Sequence, residues 1–428
     1  MQDPLTIRPL DGPLDATVRL PGSKSLTNRA LLLAALADGP SRIRNALFSD
    51  DTRYMAGALR ALGLEVTEDA DALTVTVNGA GGRVPASTAD LRVGNSGTSA
   101  RFLTSYLALG AGTYRLDGTA RMRRRPIGDL LRSLRELGAD VRCPGEEGYP
   151  PVEVRASGLP GGSCRLAASA SSQFLSALLM VAPYARQGVR VQVDGPLVSQ
   201  PYVEMTLGVM AEWGVRASHQ HWRAFDVEPG GRYRARVYDV EPDASAASYF
   251  MAAAAVTAGH VRIPGLGRAS VQGDLAFADV LRRMGCSVRW ERDAIEVIGP
   301  DRLVGVDVDM NAISDTVMTL AAIAPFAATA TTIRNVAHVR HKETDRLAAL
   351  AAELRRLGVT VDEREDGLRI DPGPLRPTAV STYDDHRMAM SFAVAGLRAP
   401  GIAIRDPGCV AKTFPGFFDV LEGIRSGG

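Results

Sequence analysis

The sequence predicts an α/β protein built from six copies of one strand–helix–strand–helix unit, closing three by three into two similar domains. Three observations carry this: a glycine that ends a helix five times, a polar helix opening that returns six times, and an alternation of amphipathic with wholly apolar helices.

The first series is a helix ending in Leu, Met or Trp followed by Gly and then a β-type run. Its glycines are Gly63, Gly138, Gly214, Gly285 and Gly358, spaced 75, 76, 71 and 73 residues apart. Glycine just past the last apolar turn is a helix stop, because it enters the left-handed conformation without a Cβ clash. A sixth, truncated copy is expected to end in Leu421–Gly428.

The second series is a small polar cluster opening an Ala-rich helix. It comprises Ser23-Lys24-Ser25, Asn95-Ser96-Gly97-Thr98, Ser171-Ser172-Gln173, Asp243-Ala244-Ser245, Ser314-Asp315 and Asp384-Asp385-His386-Arg387, in steps of 72, 76, 72, 71 and 70. Most are followed by a strand-like run such as TYRLDG, HVRIPG, TTIRN or GIAIRD.

The two helix types predict different burial. Leu347, Leu350, Leu354 and Leu357 fall on one face with charges opposite, the pattern of an outer helix. Ala30–Ala37 is apolar nearly all round and must be enclosed. Leu166–Ala185, 20 residues without a charge, has the length of a membrane span. Its four Ser, one Gln and one Pro read instead as buried helix.

Composition narrows the function. A chain of 428 residues holds two or three domains, and 46% hydrophobic with 23% charged is globular. Lys plus Arg is 49 against 48 for Asp plus Glu, which argues against nucleic acid as a partner. Cys143, Cys164, Cys286 and Cys409 form no CxxC pair, so neither a disulfide framework nor a metal site is expected. Met1–Leu10 lacks a basic-then-apolar leader, and a cytoplasmic location with no membrane partner is expected.

Only three of the 49 basic residues are lysines, namely Lys24, Lys342 and Lys412. A chain that uses Arg almost everywhere keeps Lys where a compact ammonium, able to release a proton, cannot be replaced by a planar fork. All three stand in polar motifs.

Helix starts present unpaired N–H groups and a partial positive charge, so six such starts suit anionic ligands. Any one cluster also fits an ordinary N-cap or solvated loop. The accompanying cations Lys24, Arg125, Arg346, Arg387 and Lys412 favour the anion reading. Pro21-Gly22-Ser23-Lys24-Ser25 lacks the glycines of a nucleotide-binding loop. Gly97 allows close backbone approach, and Arg121-Met122-Arg123-Arg124-Arg125 gathers four charges ahead of a helix. Lys342-Glu343-Thr344-Asp345-Arg346 is read as placing Lys342 and Arg346 one helical turn apart. Asp315 stands in an otherwise uncharged stretch, and His386 is one of six histidines.

In these residues the chain resembles the 5-enolpyruvylshikimate-3-phosphate synthases, a branch of the enolpyruvyl transferase family. The strings that carry the resemblance run from Pro21 to Phe418: PGSKSLTNRALLLAALA, GNSGTSARFL, ARMRRRPIG, SASSQFLSALLM, SQPYVEMT, PDASAASYF, SDTVMTLA, HKETDRLAAL, DDHRMAM and AKTFPGFF. The resemblance implies two domains, residues 21–240 and residues 1–20 plus 241–428. Each would be a three-fold inside-out α/β barrel of βαβαββ repeats, with a cleft between them. It also implies a monomeric transferase without cofactor or metal, joining phosphoenolpyruvate to shikimate 3-phosphate with release of phosphate.

By the same resemblance, shikimate 3-phosphate would meet Lys24, Ser25, Arg29, Ser171, Ser172, Gln173, Ser199, Tyr202, Asp315, His338 and Lys342. Phosphoenolpyruvate would meet Lys24, Asn95, Gly97, Arg125, Gln173, Arg346, His386, Arg387 and Lys412. Asp315, Glu343 and Lys24 are the expected catalytic groups, Asp315 at the hydroxyl and Glu343 near the methylene. His338 stands where many members carry Asn, which introduces a titratable group. Phe102 stands where well-known members carry Pro, which is expected to alter the helix behind Gly97. Gly97 itself leaves room for the inhibitor glyphosate. The related transferases acting on UDP-N-acetylglucosamine often use a loop cysteine, and no Cys precedes Arg142 here. A non-catalytic anion-binding protein would not need Asp315 and Glu343 among its cations.

Overall fold

The computed structural model describes residues 2–425, and the chain forms two compact units. One is Gly22–Val240; the other joins Met1–Pro21 to Glu241–Gly428. The first carries helices α1 (Lys24–Leu36), α2 (Asp50–Ala61), α3 (Gly97–Leu107), α4 (Gly128–Glu136), α5 (Ser172–Val181) and α6 (Gln200–Glu212). The second carries α7 (Ala244–Val256), α8 (Phe277–Arg283), α9 (Val317–Ile323), α10 (Arg346–Arg356), α11 (His386–Gly396) and α12 (Phe417–Arg425). Of the sixth ending expected at Leu421–Gly428, residues 426–428 lie outside the described ones.

The alternation of helix types holds. Every residue of α3, α7, α9 and α11 is buried, whereas α2 and α4 bury one stripe each. Leu347, Leu350, Leu354 and Leu357 are fully buried along one side of α10. The Ala-rich odd-numbered helices fill the middle of each unit, where short side chains let backbones approach and no face meets water. Each unit has its own apolar core, with no residue shared. The five helix-ending glycines all have positive φ, from 86° at Gly63 to 107° at Gly285.

α3, α5 and α9 each connect two parallel strands of one sheet, which an antiparallel pair extends. Thus Thr88–Arg92 and Ala111–Asp117 flank α3 and run parallel, and Val152–Ser157 and Asp140–Arg142 complete four strands. Two units of the series exchange a strand. Asp15–Thr17 precedes α1 yet pairs with His260–Pro264 after α7. Val237–Asp239 precedes α7 yet pairs with Asp38–Arg44 after α1. The chain passes from one unit to the other at those two places. Among the described residues five sheets have four strands; the sixth has three, with Leu5–Thr6 in place of the antiparallel pair of the other repeats.

Three local expectations are corrected. Leu166–Ala185 is not helical throughout, since Gly162–Ala167 is a strand and α5 begins at Ser172. Ser314 and Asp315 do not open an α-helix: they lie in a 3-10 stretch, Asn311–Thr316, with a kink at Ile313, and α9 begins at Val317. Lys342 and Arg346 are not a helical turn apart on one helix. Asp345 caps α10, so Lys342 and Glu343 lie in the loop before it. No helix among the described residues is long and apolar enough to cross a membrane.

Candidate active site

In the Gly22–Val240 unit the three enclosed helices start alike. Ser23, Ser96 and Ser171 cap them, accepting from Leu26 N at 3.4 Å, Ser99 N at 3.3 Å and Gln173 N at 3.2 Å. An N-cap removes one orphan donor and leaves others pointing out of the helix.

These starts are tied together by side chains. Lys24 Nζ lies 3.6 Å from Asp51 Oδ2 in the first turn of α2, and both side chains are buried. Ser99 Oγ donates to the Asp51 carbonyl at 3.3 Å, joining α2 to α3. Gln173 Nε2 donates to Thr98 Oγ1 at 3.2 Å, joining α5 to α3. Arg125 is buried, its Nη1 donating to the Asn95 carbonyl at 2.8 Å and to Asn95 Oδ1 at 3.2 Å. Of the basic run before it, Arg123 instead pairs at the surface with Asp117.

Gly97 lets two arginine side chains close over the start of α3. A Cβ there would stand 2.4 Å from Arg125 Nη2 and 2.8 Å from Arg101 Nη1, so two guanidinium groups occupy the space of a side chain. Arg29 is buried and clamps two helix starts, donating to the Ser25 carbonyl at 3.0 Å, the Tyr202 carbonyl at 3.0 Å and Thr206 Oγ1 at 2.8 Å. Burial lowers its pKa to about 10. Phe102 does not disturb α3, which runs unbroken from Gly97. Its ring packs under Arg29, 5.5 Å from the guanidinium carbon. Ser172 and Ser199 are buried, and Ser199 takes a left-handed φ of 52° just ahead of α6.

The other unit holds the carboxylates. Asp315 Oδ1 accepts from Lys342 Nζ at 2.6 Å and lies 3.4 Å from Arg346 Nη1; its Oδ2 accepts from Arg387 Nη2 at 2.7 Å. Arg346 is 1% exposed and also meets Glu343 Oε2 at 2.8 Å and Asp385 at 2.7 and 3.2 Å. Lys412 Nζ stands 4.0 Å from Glu343 Oε1. Four cations from three distant segments thus surround Asp315 and Glu343.

Burial lowers the Lys342 pKa, and Asp315 opposes that shift. His338 is also buried, and burial together with the Lys342 charge brings its pKa down to about 3. The titratable group expected at this position is therefore a neutral imidazole at ordinary pH. His386 is fully enclosed, Nδ1 3.6 Å from Asp385 Oδ1, at the first position of α11.

Four contributors escaped the sequence. Asp51 looks like any acid in a first helical turn. Asp385 was visible in its motif, yet its roles as cap of α11 and clamp of Arg346 were not. Tyr249 OH and Ser245 Oγ accept from Arg387 at 3.2 and 3.1 Å. Ser245 was visible in the Asp243-Ala244-Ser245 opening but its bond to Arg387 was not, and the only hint of Tyr249 is that it falls one turn after Ser245 on α7. Among the described residues, no group of three or more His, Cys, Asp or Glu could hold a metal ion.

Residues 10–421 match the family model described as EPSP synthase (3-phosphoshikimate 1-carboxyvinyltransferase). A 3-phosphoshikimate 1-carboxyvinyltransferase from Trichormus variabilis is 53% identical over 416 residues, 97% of this chain and 98% of that one. The protein of the same name from Nostoc punctiforme is 54% identical over the same length and coverage. A solved structure of EPSP synthase from Acinetobacter baumannii superposes with a TM-score of 0.82 at 27% identity, covering 99% of this chain and 98% of the other.

Proposed function

The chain belongs to the EPSP synthase family, and on that premise we propose how its residues perform the reaction. It transfers the enolpyruvyl group of phosphoenolpyruvate to the 5-hydroxyl of shikimate 3-phosphate, releasing phosphate, in aromatic amino acid biosynthesis. The observation that carries the residue assignment is Asp315, a carboxylate gripped by Lys342, Arg346 and Arg387 within one unit.

Shikimate 3-phosphate is assigned to Lys24, Ser25, Arg29, Ser171, Ser172, Gln173, Ser199 and Tyr202, with Asp315, His338 and Lys342. The serines at the starts of α5 and α6 serve its phosphate, adding hydroxyl donors to the partial charge of a helix end. Neutral His338 contributes a hydrogen bond and no charge. Phosphoenolpyruvate is bound by Lys24, Asn95, Gly97, Arg125 and Gln173, with Arg346, Arg387 and Lys412, whose forks and ammonium groups suit a carboxylate and a phosphate. His386, expected in the same set, is fully enclosed beside Asp385.

The 5-hydroxyl oxygen forms a bond to the central carbon of phosphoenolpyruvate. Its proton passes to Asp315, and the methylene carbon takes a proton from Glu343, giving a tetrahedral intermediate. Elimination breaks the bond to phosphate, returns the methyl proton to Glu343 and passes the proton held on Asp315 to the departing phosphate, so both carboxyl groups end as they began. Both carboxylates sit among cations that balance the changing charge, and Lys24 is assigned the same task. Such proton transfers are worth about 10²–10⁴-fold each.

All four cysteines are free thiols, which fits a reducing compartment, and a cytoplasmic monomer is the reading adopted. Phosphate release measured with each acceptor tests the function. Activity with shikimate 3-phosphate and none with UDP-N-acetylglucosamine is expected, and Asp315→Ala should lower kcat by at least about 10²-fold. An unchanged kcat in Asp315→Ala would remove the assignment while leaving the family intact.

A further inference from the structure

The two units repeat one plan but differ at the C-terminal ends of their enclosed helices. In the Gly22–Val240 unit those ends carry phenol groups of the chain itself. Tyr184, in the 3-10 turn Ala182-Pro183-Tyr184 after α5, donates its hydroxyl to the carbonyl of Leu36, the last residue of α1. Tyr233 donates to the Met180 carbonyl near the end of α5 at 2.9 Å. Tyr106, in the last turn of α3, donates to the Arg83 carbonyl at 2.8 Å.

The other unit has the matching turn, Ala324-Pro325-Phe326, after α9. Its register is set by a shared bond: Gly230 N–H donates to the Pro183 carbonyl and Gly373 N–H to the Pro325 carbonyl, both at 3.0 Å. Helix α7 has 13 residues, as α1 does, and ends at Val256 where α1 ends at Leu36. The hydroxyl is missing, because Phe326 stands in the place of Tyr184. The described residues of this unit include two tyrosines, both engaged elsewhere, Tyr249 with Arg387 and Tyr383 with Glu353.

At the ends of α7 and α11 a cavity of about 440 Å³ opens, with Val256, Leu303, Phe326 and Leu397 among its walls. Its charged lining is Asp11, Asp301, Arg302 and Arg398, all exposed, and Thr257 adds a hydroxyl. That volume is within the range of small-molecule sites. Carbonyls at a helix C-terminus lack intrahelical donors, and a phenol is an apolar ring with one donor at its tip.

We propose that this cavity binds a small phenol bearing both an ammonium and a carboxylate, of the tyrosine class. Its ring packs on Phe326 and its hydroxyl serves the helix-end carbonyls, as Tyr184 does in the other unit. The carboxylate meets Arg302 or Arg398, and the ammonium meets Asp11 or Asp301.

The test is a titration of 3-fluoro-L-tyrosine into the full chain, followed by fluorine NMR, with shikimate 3-phosphate saturating so that the catalytic residues are occupied. Saturable broadening with a Kd below about 1 mM is expected. Binding of 4-fluoro-L-phenylalanine, which lacks the hydroxyl, should be about fivefold weaker. The Arg302→Ala/Arg398→Ala double variant should lose the signal and keep its kcat/KM. Phe326→Tyr, which supplies the hydroxyl from the chain, should also weaken binding and raise Tm by about 2–4 °C. No saturable broadening, equal affinity for the two amino acids, or undiminished binding by the double variant overturns the proposal.

Discussion

Arg346 and Asp385 form a doubly hydrogen-bonded pair, Nε to Oδ2 at 2.7 Å and Nη2 to Oδ1 at 3.2 Å, with 1% and 0% of the two side chains exposed. The same Asp385 carboxylate caps α11, accepting from Arg387 N at 2.9 Å. One acid therefore holds the guanidinium of Arg346 and the backbone of Arg387, and both arginines reach Asp315.

Removing that acid takes the doubly bonded one of three carboxylates away from a buried guanidinium. Asp385→Ala is expected to cost about 3–5 kcal/mol of stability, the typical price of breaking an enclosed ion pair from one side. Urea unfolding monitored by circular dichroism measures it. A loss under about 1 kcal/mol would mean that Glu343 and Asp315 suffice to hold Arg346.

Lys24 faces Asp51 in a pocket that leaves 11% of the lysine side chain exposed. An arginine keeps the charge but is wider, cannot release a proton and orients as a fork. Lys24→Arg should fold normally and lose at least about 10²-fold in kcat/KM, because small displacements at a reacting centre are costly. Steady-state kinetics check this, and near wild-type activity would undo the argument from lysine rarity.

Gly97→Ala places a methyl group against Arg125 and Arg101, whose guanidinium ends must swing away. Stability should change little, since flexible side-chain tips yield. The KM for phosphoenolpyruvate should rise by about 10-fold or more with a smaller change in kcat, the signature of weakened ground-state binding. Glyphosate, expected to compete with phosphoenolpyruvate, should lose potency in parallel. Inhibition curves for both proteins decide it.

His338 stays neutral in the fold down to a pKa of about 3, against 6.5 for an unhindered imidazole. Between those values the unfolded chain binds the additional proton, so stability rises with pH across that window and the contribution is complete above it. The slope is at most about 1.4 kcal/mol per pH unit for one proton. His338→Asn should flatten the dependence of unfolding free energy on pH between about 4 and 6. An identical slope in the variant would show that other groups set it.

Much of the fold was legible from local rules. The glycines at 63, 138, 214, 285 and 358 mark helix ends because only a residue without Cβ takes that conformation cheaply, and all five do. Burial of the Ala-rich helices followed from their lack of any polar face. The loop before α10 was misread because Lys342-Glu343-Thr344-Asp345-Arg346 has helical spacing, while Asp345 prefers to cap. Asp51, Tyr249 and the Asp385 clamp were invisible because a partner far away in sequence defines each of them.

By itself the sequence determined the six-fold repeat, the two helix environments and the residue types gathered at helix starts, since periodicity and backbone stereochemistry act over a few residues. Only the tertiary structure decided which strands exchange between Asp15–Thr17 and Val237–Asp239, and which cations close on Asp315. Charges from positions 315, 342, 346 and 387 meet because three separately formed segments pack together. Coulomb attraction between them becomes strong only once packing has excluded water.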